Sequence, residues 1–111
     1  MTLKIATFNV NSVKSRIPVL IQWFETKGAP DILCLQETKC VDEDFPAYFF
    51  EDYFDFCNYR GMKSYNGVAI ISKREPDEVS FGLGDEGEAG REESEAARVA
   101  FARFGKLFVL N

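Results

Sequence analysis

The residues best suited to chemistry fall in two short runs, Phe8-Asn9-Val10-Asn11 and Leu35-Gln36-Glu37-Thr38-Lys39, each placed where an apolar segment runs out. Ile32-Leu33-Cys34-Leu35 is apolar on both alternating faces, which predicts a strand buried on both sides. Such a strand ends in Gln36, Glu37, Thr38 and Lys39 where those side chains meet a polar cleft. Strand ends are where open α/β architectures gather groups around a ligand. A lone carboxylate, Glu37, beside the amide of Asn9 on a neighbouring strand suits a hard divalent cation such as Mg²⁺. That ion takes one or two protein carboxylates and leaves its other positions to water and phosphate. On spacing alone, a surface Glu in a strand-to-loop turn and Asn residues satisfying local backbone groups are the plainer readings.

These residues need elements to hold them. Leu3 to Asn9 alternates and reads as a strand, and Ile32 to Gln36 as a second one beside it. Between them Ser15 is the expected N-cap of a helix with Pro18 in its first turn. Ile17, Leu20, Ile21 and Phe24 fall at helical spacing, and Gly28 with Pro30 ends the run. If the two strands are parallel, the crossover is right-handed. Asp42 to Tyr53 is expected to be a short helix burying Phe45, Tyr48 and Phe49, with Pro46 early in it. Phe54 to Tyr59, Gly67 to Lys73 and Val79 to Phe81 read as strands, with a polar turn over Arg60 to Asn66. Arg98 to Phe104 and Leu107 to Asn111, joined by Gly105-Lys106, read as a hairpin. The turn carries a further signal: Tyr65 and Asn66, preceded by Arg60 and Lys63, combine a stacking aromatic with positive charge. Any hairpin can carry such a turn. Trp23 and the Phe45/Tyr48/Phe49 cluster read as core.

Three runs, Ala6 to Ser12, Pro30 to Lys39 and Lys63 to Ile70, occur in an order and spacing that resembles the exonuclease III/AP endonuclease family of the endonuclease/exonuclease/phosphatase superfamily. The resemblance implies part of a four-layer α/β sandwich, with mixed β-sheets and helices packed outside. It reverses the plain reading of Glu37, because Gln-Glu-Thr-Lys holds the family's metal-binding glutamate there. It likewise puts Asn9 in the metal site, and Asn11, Lys39, Tyr65 and Asn66 on the substrate side. Many relatives have Gly-Leu-Arg just beyond the first run, whereas this chain has Ser12-Val13-Lys14-Ser15-Arg16, so phosphate contacts do not carry over directly to Lys14 or Arg16.

The implied activity is a Mg²⁺-dependent DNA phosphodiesterase of base-excision repair (Mn²⁺ as a substitute ion), acting on duplex DNA with abasic sites or blocked 3′ ends. A sugar- or lipid-phosphate phosphodiesterase of the same superfamily and a non-catalytic binding module are the rivals. The family's catalytic Tyr, Asp-x-Asn pair, further Asp and terminal Asp-His have no counterpart here, and the chain contains no histidine. Residues 1–111 are therefore expected to be the N-terminal portion of one such domain, inactive alone, with the intact enzyme a monomer.

Composition sets the outer bounds. One domain is the most that 111 residues supply, with a modest core. No apolar run reaches membrane-spanning length, and Met1 leads into a strand pattern without a signal-peptide core. Cys34, Cys40 and Cys57 lack metal-ligand spacing and fit a reduced, cytoplasmic setting. The net charge of −5 argues against a nucleic-acid partner only until it is mapped. Met1 to Arg74 holds nine acidic and nine basic residues, while Glu75 to Glu95 holds nine acidic and one basic. The acidity is concentrated in that stretch, whose Gly- and Glu-rich part at 83–95 is expected to be a solvated loop.

Overall fold

The structure, a computed structural model, describes residues 2–82 and 96–111; the acidic segment 83–95 lies outside the described residues. Two sheets carry the fold. Sheet A has the order β1-β2-β4-β3, from Ile5–Asn9, Ile32–Gln36, Val68–Ser72 and Phe56–Arg60. Sheet B has the order β5-β6-β7, from Glu78–Phe81, Ala100–Phe104 and Leu107–Leu110. β1 and β2 are parallel, as a strand–helix–strand unit requires, and every other pair is antiparallel.

Helix α1 (Val13–Lys27) and the short α2 (Ala47–Phe50) pack on one face of sheet A, and sheet B packs on the other. On the helical side Leu33, Leu35, Ala69 and Ile71 meet Leu20, Phe24 and the aromatic group Phe45, Phe49, Phe50 and Phe54. Between the sheets Ile32, Cys34, Val68 and Ile70 meet Ala100, Ala102, Phe104 and Val109. Hence β2 and β4 are covered on both faces, which is why their sequences are continuous apolar runs. The described residues thus form helix, sheet and sheet layers. The outer face of sheet B carries exposed Phe108 and Leu110, with Phe108 stacked on Phe101.

Several expectations about the helices are corrected. The helix begins at Val13, not after Ser15: Ser12 is the N-cap and its Oγ accepts the Ser15 N–H at 3.4 Å. Fully buried Val13 therefore starts the apolar stripe of Ile17, Leu20 and Phe24, while Ile21 falls off it at 41 % exposure. Pro18 consequently lies inside the helix and not in its first turn, and removes one intrahelical hydrogen bond. The helix expected over Asp42 to Tyr53 is instead a 3-10 turn, Asp42–Asp44, then α2, because Pro46 interrupts the run. Its buried aromatics are Phe45, Phe49 and Phe50, whereas Tyr48 is 74 % exposed.

The hairpin forms as expected, with Gly105 at φ +63° in the turn and its N–H donating to Asp77 Oδ2 at 2.6 Å. Arg103 on β6 pairs with Glu78 at 3.0 Å and Asp77 at 3.6 Å, so part of the acidity before residue 83 is neutralised within sheet B.

Candidate metal and phosphate site

Asn9 ends β1 directly opposite Gln36, the end of β2. The pairing then runs on past the strands. Val10 N–H donates to Gln36 O at 3.0 Å, Ser12 N–H to Glu37 O at 2.9 Å, and Val13 N–H to Thr38 O at 3.0 Å. On the opposite side Thr38 N–H donates to Gly67 O at 3.2 Å and Lys39 N–H to Asn66 O at 2.9 Å. Residues 36–39 are thus held between the start of α1 and the turn before β4. Two of the four N–H groups at the helix start that have no intrahelical partner, those of Ser12 and Val13, are satisfied by this segment.

The segment is bent by its backbone. Asn11, Ser12, Glu37, Lys39, Ser64 and Asn66 have positive φ, and among the described residues these are all the non-glycine residues that do. Every one lies in the three loops at this end of sheet A. Such conformations cost on the order of 1–3 kcal/mol each and persist where surrounding contacts enforce them. Here they turn Glu37 and Lys39 outward on either side of Thr38, which is 1 % exposed. Gly67, at φ +101°, permits the close approach: a Cβ there would lie 1.9 Å from Thr38 Oγ1. A Cβ on Gly61 would lie 2.0 Å from Cys40 O, so the next residues are gripped in the same way.

The side chains converge as a network. Asn9 donates from Nδ2 to Glu37 Oε2, and its Oδ1 accepts the Asn11 N–H at 3.2 Å. Lys39 Nζ donates to Asn11 Oδ1 and lies 3.8 Å from Glu37 Oε1. The structure therefore brings together Asn9, Asn11, Glu37 and Lys39. In this arrangement the Asn9 amide touches the Glu37 carboxylate directly. Among the described residues no group of three or more His, Cys, Asp or Glu side chains could hold a metal, so Glu37 is the only carboxylate of this network.

Asn66 is tied to the same rim through its carbonyl, and exposed Tyr65 stands next to it in the turn. Lys63 is exposed on that turn. Arg60 is elsewhere: it lies 3.9 Å from Asp42 and 4.8 Å above the Phe81 ring, so it does not make the Tyr65 rim positive as expected. Lys14 is 3.9 Å from Asp44. Burial pushes the Cys34 thiol up to about 11 and Cys57 up to about 12, which keeps both protonated and unsuited to metal or nucleophilic chemistry.

Two residues at the site, Arg98 and Asn111, escaped the reading of the sequence. Gln36, Glu37 and Asn66 line an open groove of about 130 Å³ with Arg98, which adds positive charge to its lining. Gln36 Nε2 also donates to Thr7 Oγ1 at 2.8 Å and to Asn111 Oδ1 at 2.7 Å. Asn111 Nδ2 in turn donates to Leu35 O at 3.0 Å and Ala69 O at 2.9 Å. Gln36 belongs to the polar run that the sequence already placed at the cleft. Arg98 lies in the turn before β6 and Asn111 just after β7, and no local pattern marks them.

Known proteins resemble the chain over nearly its whole length. Residues 6–109 match the family model described as Endonuclease/Exonuclease/phosphatase family, nearly the whole chain. The chain belongs to this family. It is 34 % identical over 110 residues to a Bacillus subtilis exodeoxyribonuclease, covering 97 % of this chain and 41 % of that protein. Among solved structures it superposes on an AP endonuclease from Archaeoglobus fulgidus with a TM-score of 0.83 and 42 % identity, covering 99 % of this chain and 40 % of that one. A 3′ phosphatase from Neisseria, solved bound to product DNA hairpin, gives a TM-score of 0.80 and 36 % identity over 99 % of this chain and 40 % of that one. The chain thus spans about two-fifths of the length of these relatives and contains part of their fold.

Proposed function

We propose that the protein to which this chain corresponds is a divalent-metal-dependent DNA phosphodiesterase of the exonuclease III/AP endonuclease type, acting as a monomer at abasic sites and blocked 3′ ends. The observation that carries the reading is the Asn9–Glu37–Lys39–Asn11 network at the ends of parallel strands β1 and β2, built on a backbone that six left-handed residues bend into place. Its donor set fits Mg²⁺ or Mn²⁺: one half-exposed carboxylate and one amide, all hard oxygen chemistry, with room on the solvent side for water and phosphate. Glu37 would hold the ion. Asn9, which steadies that carboxylate, would be the second residue to hold the ion. When bound, the ion offsets charge on the scissile phosphate.

The chain's own residues then divide the remaining work. Lys39 is anchored by Asn11 and bears positive charge toward the rim where a phosphate would approach. Tyr65 and Asn66 stand on the neighbouring turn as the DNA-facing surface, with Arg98 in the lining of the groove. Activating the attacking water is a separate task, and the chain has no histidine and no second carboxylate in this network to perform it. That group comes from the part of the relatives that this chain does not span. The 3′ phosphatase named among the solved structures supports removal of 3′-blocking groups as one of the reactions. A cytoplasmic location is proposed with it, supported by three free thiols.

The test is a chimera. This chain replaces the corresponding portion of the Bacillus subtilis exodeoxyribonuclease, and incision of abasic duplex DNA is assayed with and without Mg²⁺. Metal-dependent incision that disappears on Glu37→Ala is expected. A folded chimera that is inactive, or that is indifferent to Glu37→Ala, would refute the assignment.

A further inference from the structure

The candidate site rests on sheet A, yet one of its closest supports comes from sheet B. Asn111 follows β7, and its backbone pairs with Ala100 in both directions at 2.7 Å. Its side chain crosses to sheet A and uses its amide fully. Nδ2 donates to Leu35 O and to Ala69 O, the carbonyls of two residues that face each other across β2 and β4. Oδ1 accepts from Gln36 Nε2, which also donates to Thr7 Oγ1 on β1. One amide therefore ties together the ends of β1, β2 and β4 immediately before the chain turns into Glu37.

Packing alone does not call for this arrangement. The sheets are already joined by an apolar layer that includes Val109, two residues earlier on the same strand. A polar side chain at the rim that satisfies two carbonyls and a glutamine fixes direction as well as distance, because hydrogen bonds are angular where apolar contacts are not. Groups that orient a metal-binding side chain without touching the ion commonly tune its affinity.

We propose that Asn111 is a positioning residue of the Glu37 site, acting through Gln36 and the Leu35 carbonyl to hold the end of β2 in the register that presents Glu37 to a cation. The inference rests on the metal-site reading for its affinity readout but not for its structural one. With Asn111 in place, the two peptide units leading into Glu37 have one geometry. Without it, the Gln36 amide loses its acceptor on sheet B and the Leu35 and Ala69 carbonyls lose a shared donor.

The experiment uses the chain Met1 to Asn111 and two readouts: Mn²⁺ affinity by electron paramagnetic resonance, and backbone amide exchange at residues 36–39. Asn111→Ala and Gln36→Ala should each weaken Mn²⁺ binding about tenfold and speed exchange at Thr38 and Lys39 by a similar factor. The double variant should be little worse than either single one, since both remove one connected network. Asn111→Asp, which keeps an acceptor for Gln36 but places a carboxylate against two carbonyls, should behave like Asn111→Ala. Val109→Ala is the control for general destabilisation: it thins the core between the sheets and leaves the amide network in place. Equal loss of Mn²⁺ affinity and equal loop exchange in Val109→Ala and the network variants, at matched melting temperature, would overturn the proposal. If Asn111→Ala fails to fold, Gln36→Ala compared with Val109→Ala decides the matter. If the unaltered chain binds no Mn²⁺, the metal-site reading fails, and exchange at 36–39 alone decides the role of Asn111.

Discussion

Gly67→Ala probes the construction of the site most directly. The added Cβ would lie 1.9 Å from Thr38 Oγ1 and 3.1 Å from Thr38 Cβ, at a backbone φ of +101° that side chains other than hydrogen rarely adopt. Thr38 has nowhere to go: it is 1 % exposed, and its N–H and C=O are committed to Gly67 O and the Val13 N–H. Strain at such a φ costs about 1–3 kcal/mol. Overpacking against a fixed neighbour adds a similar amount, so the total is roughly 2–6 kcal/mol. In a domain of this size that corresponds to a fall in melting temperature on the order of 10 °C or more. Urea unfolding followed by Trp23, the single tryptophan, measures the loss directly. Removing the Thr38 hydroxyl and methyl with Thr38→Ala should relieve part of the clash, so the double variant should be less destabilised than the two single losses added together. A cost below about 0.5 kcal/mol, within the range of an ordinary surface change, or strict additivity in the double variant, would refute the reasoning.

Other outcomes follow from the same geometry. The chain alone should show no Mg²⁺-dependent incision of abasic DNA, because the network holds one carboxylate, proposed to bind the metal, and no base; robust turnover lost on Glu37→Ala would contradict this. In the chimera, Tyr65→Ala should weaken binding to abasic duplex with the salt dependence unchanged, whereas Lys63→Ala should lower the salt slope by about one phosphate contact. Identical affinities and slopes would remove that turn from the DNA surface. The Cys34 and Cys57 thiols, raised by burial from 9.0 to about 11 and about 12, stabilise the fold in their protonated form. Since the unfolded chain releases those protons first, stability should be full below pH 9 and decline as pH rises from there through about 11 and 12, as pH-jump unfolding would measure. A flat profile over that range would show that the two thiols are not desolvated.

What the sequence determined by itself was local. The apolar run Ile32 to Leu35 and its polar ending were readable as a doubly covered strand feeding a site, because pleat and burial leave a pattern with a period of two. The strands, the hairpin at Gly105 and the end of α1 at Gly28 were readable for the same reason: each is set by residues within a few positions of one another. The grouping of Asn9 with Glu37 came from resemblance and from the logic of a parallel strand pair. Tertiary structure decided the rest. The start of α1 moved to Ser12 because Ser12 and Val13 find carbonyls in Glu37 and Thr38, residues distant in sequence. Tyr48 stayed exposed because Pro46 breaks the helix that would have turned it inward. Arg60 left the rim for Phe81 and Asp42, partners on other elements. Arg98 and Asn111 reached the Glu37 end of sheet A only because one sheet folds over the other. A hydrogen bond between residues 75 apart, such as Gln36 to Asn111, leaves no periodic trace in a sequence. Its existence depends on how two sheets pack, and that is a property of the whole chain.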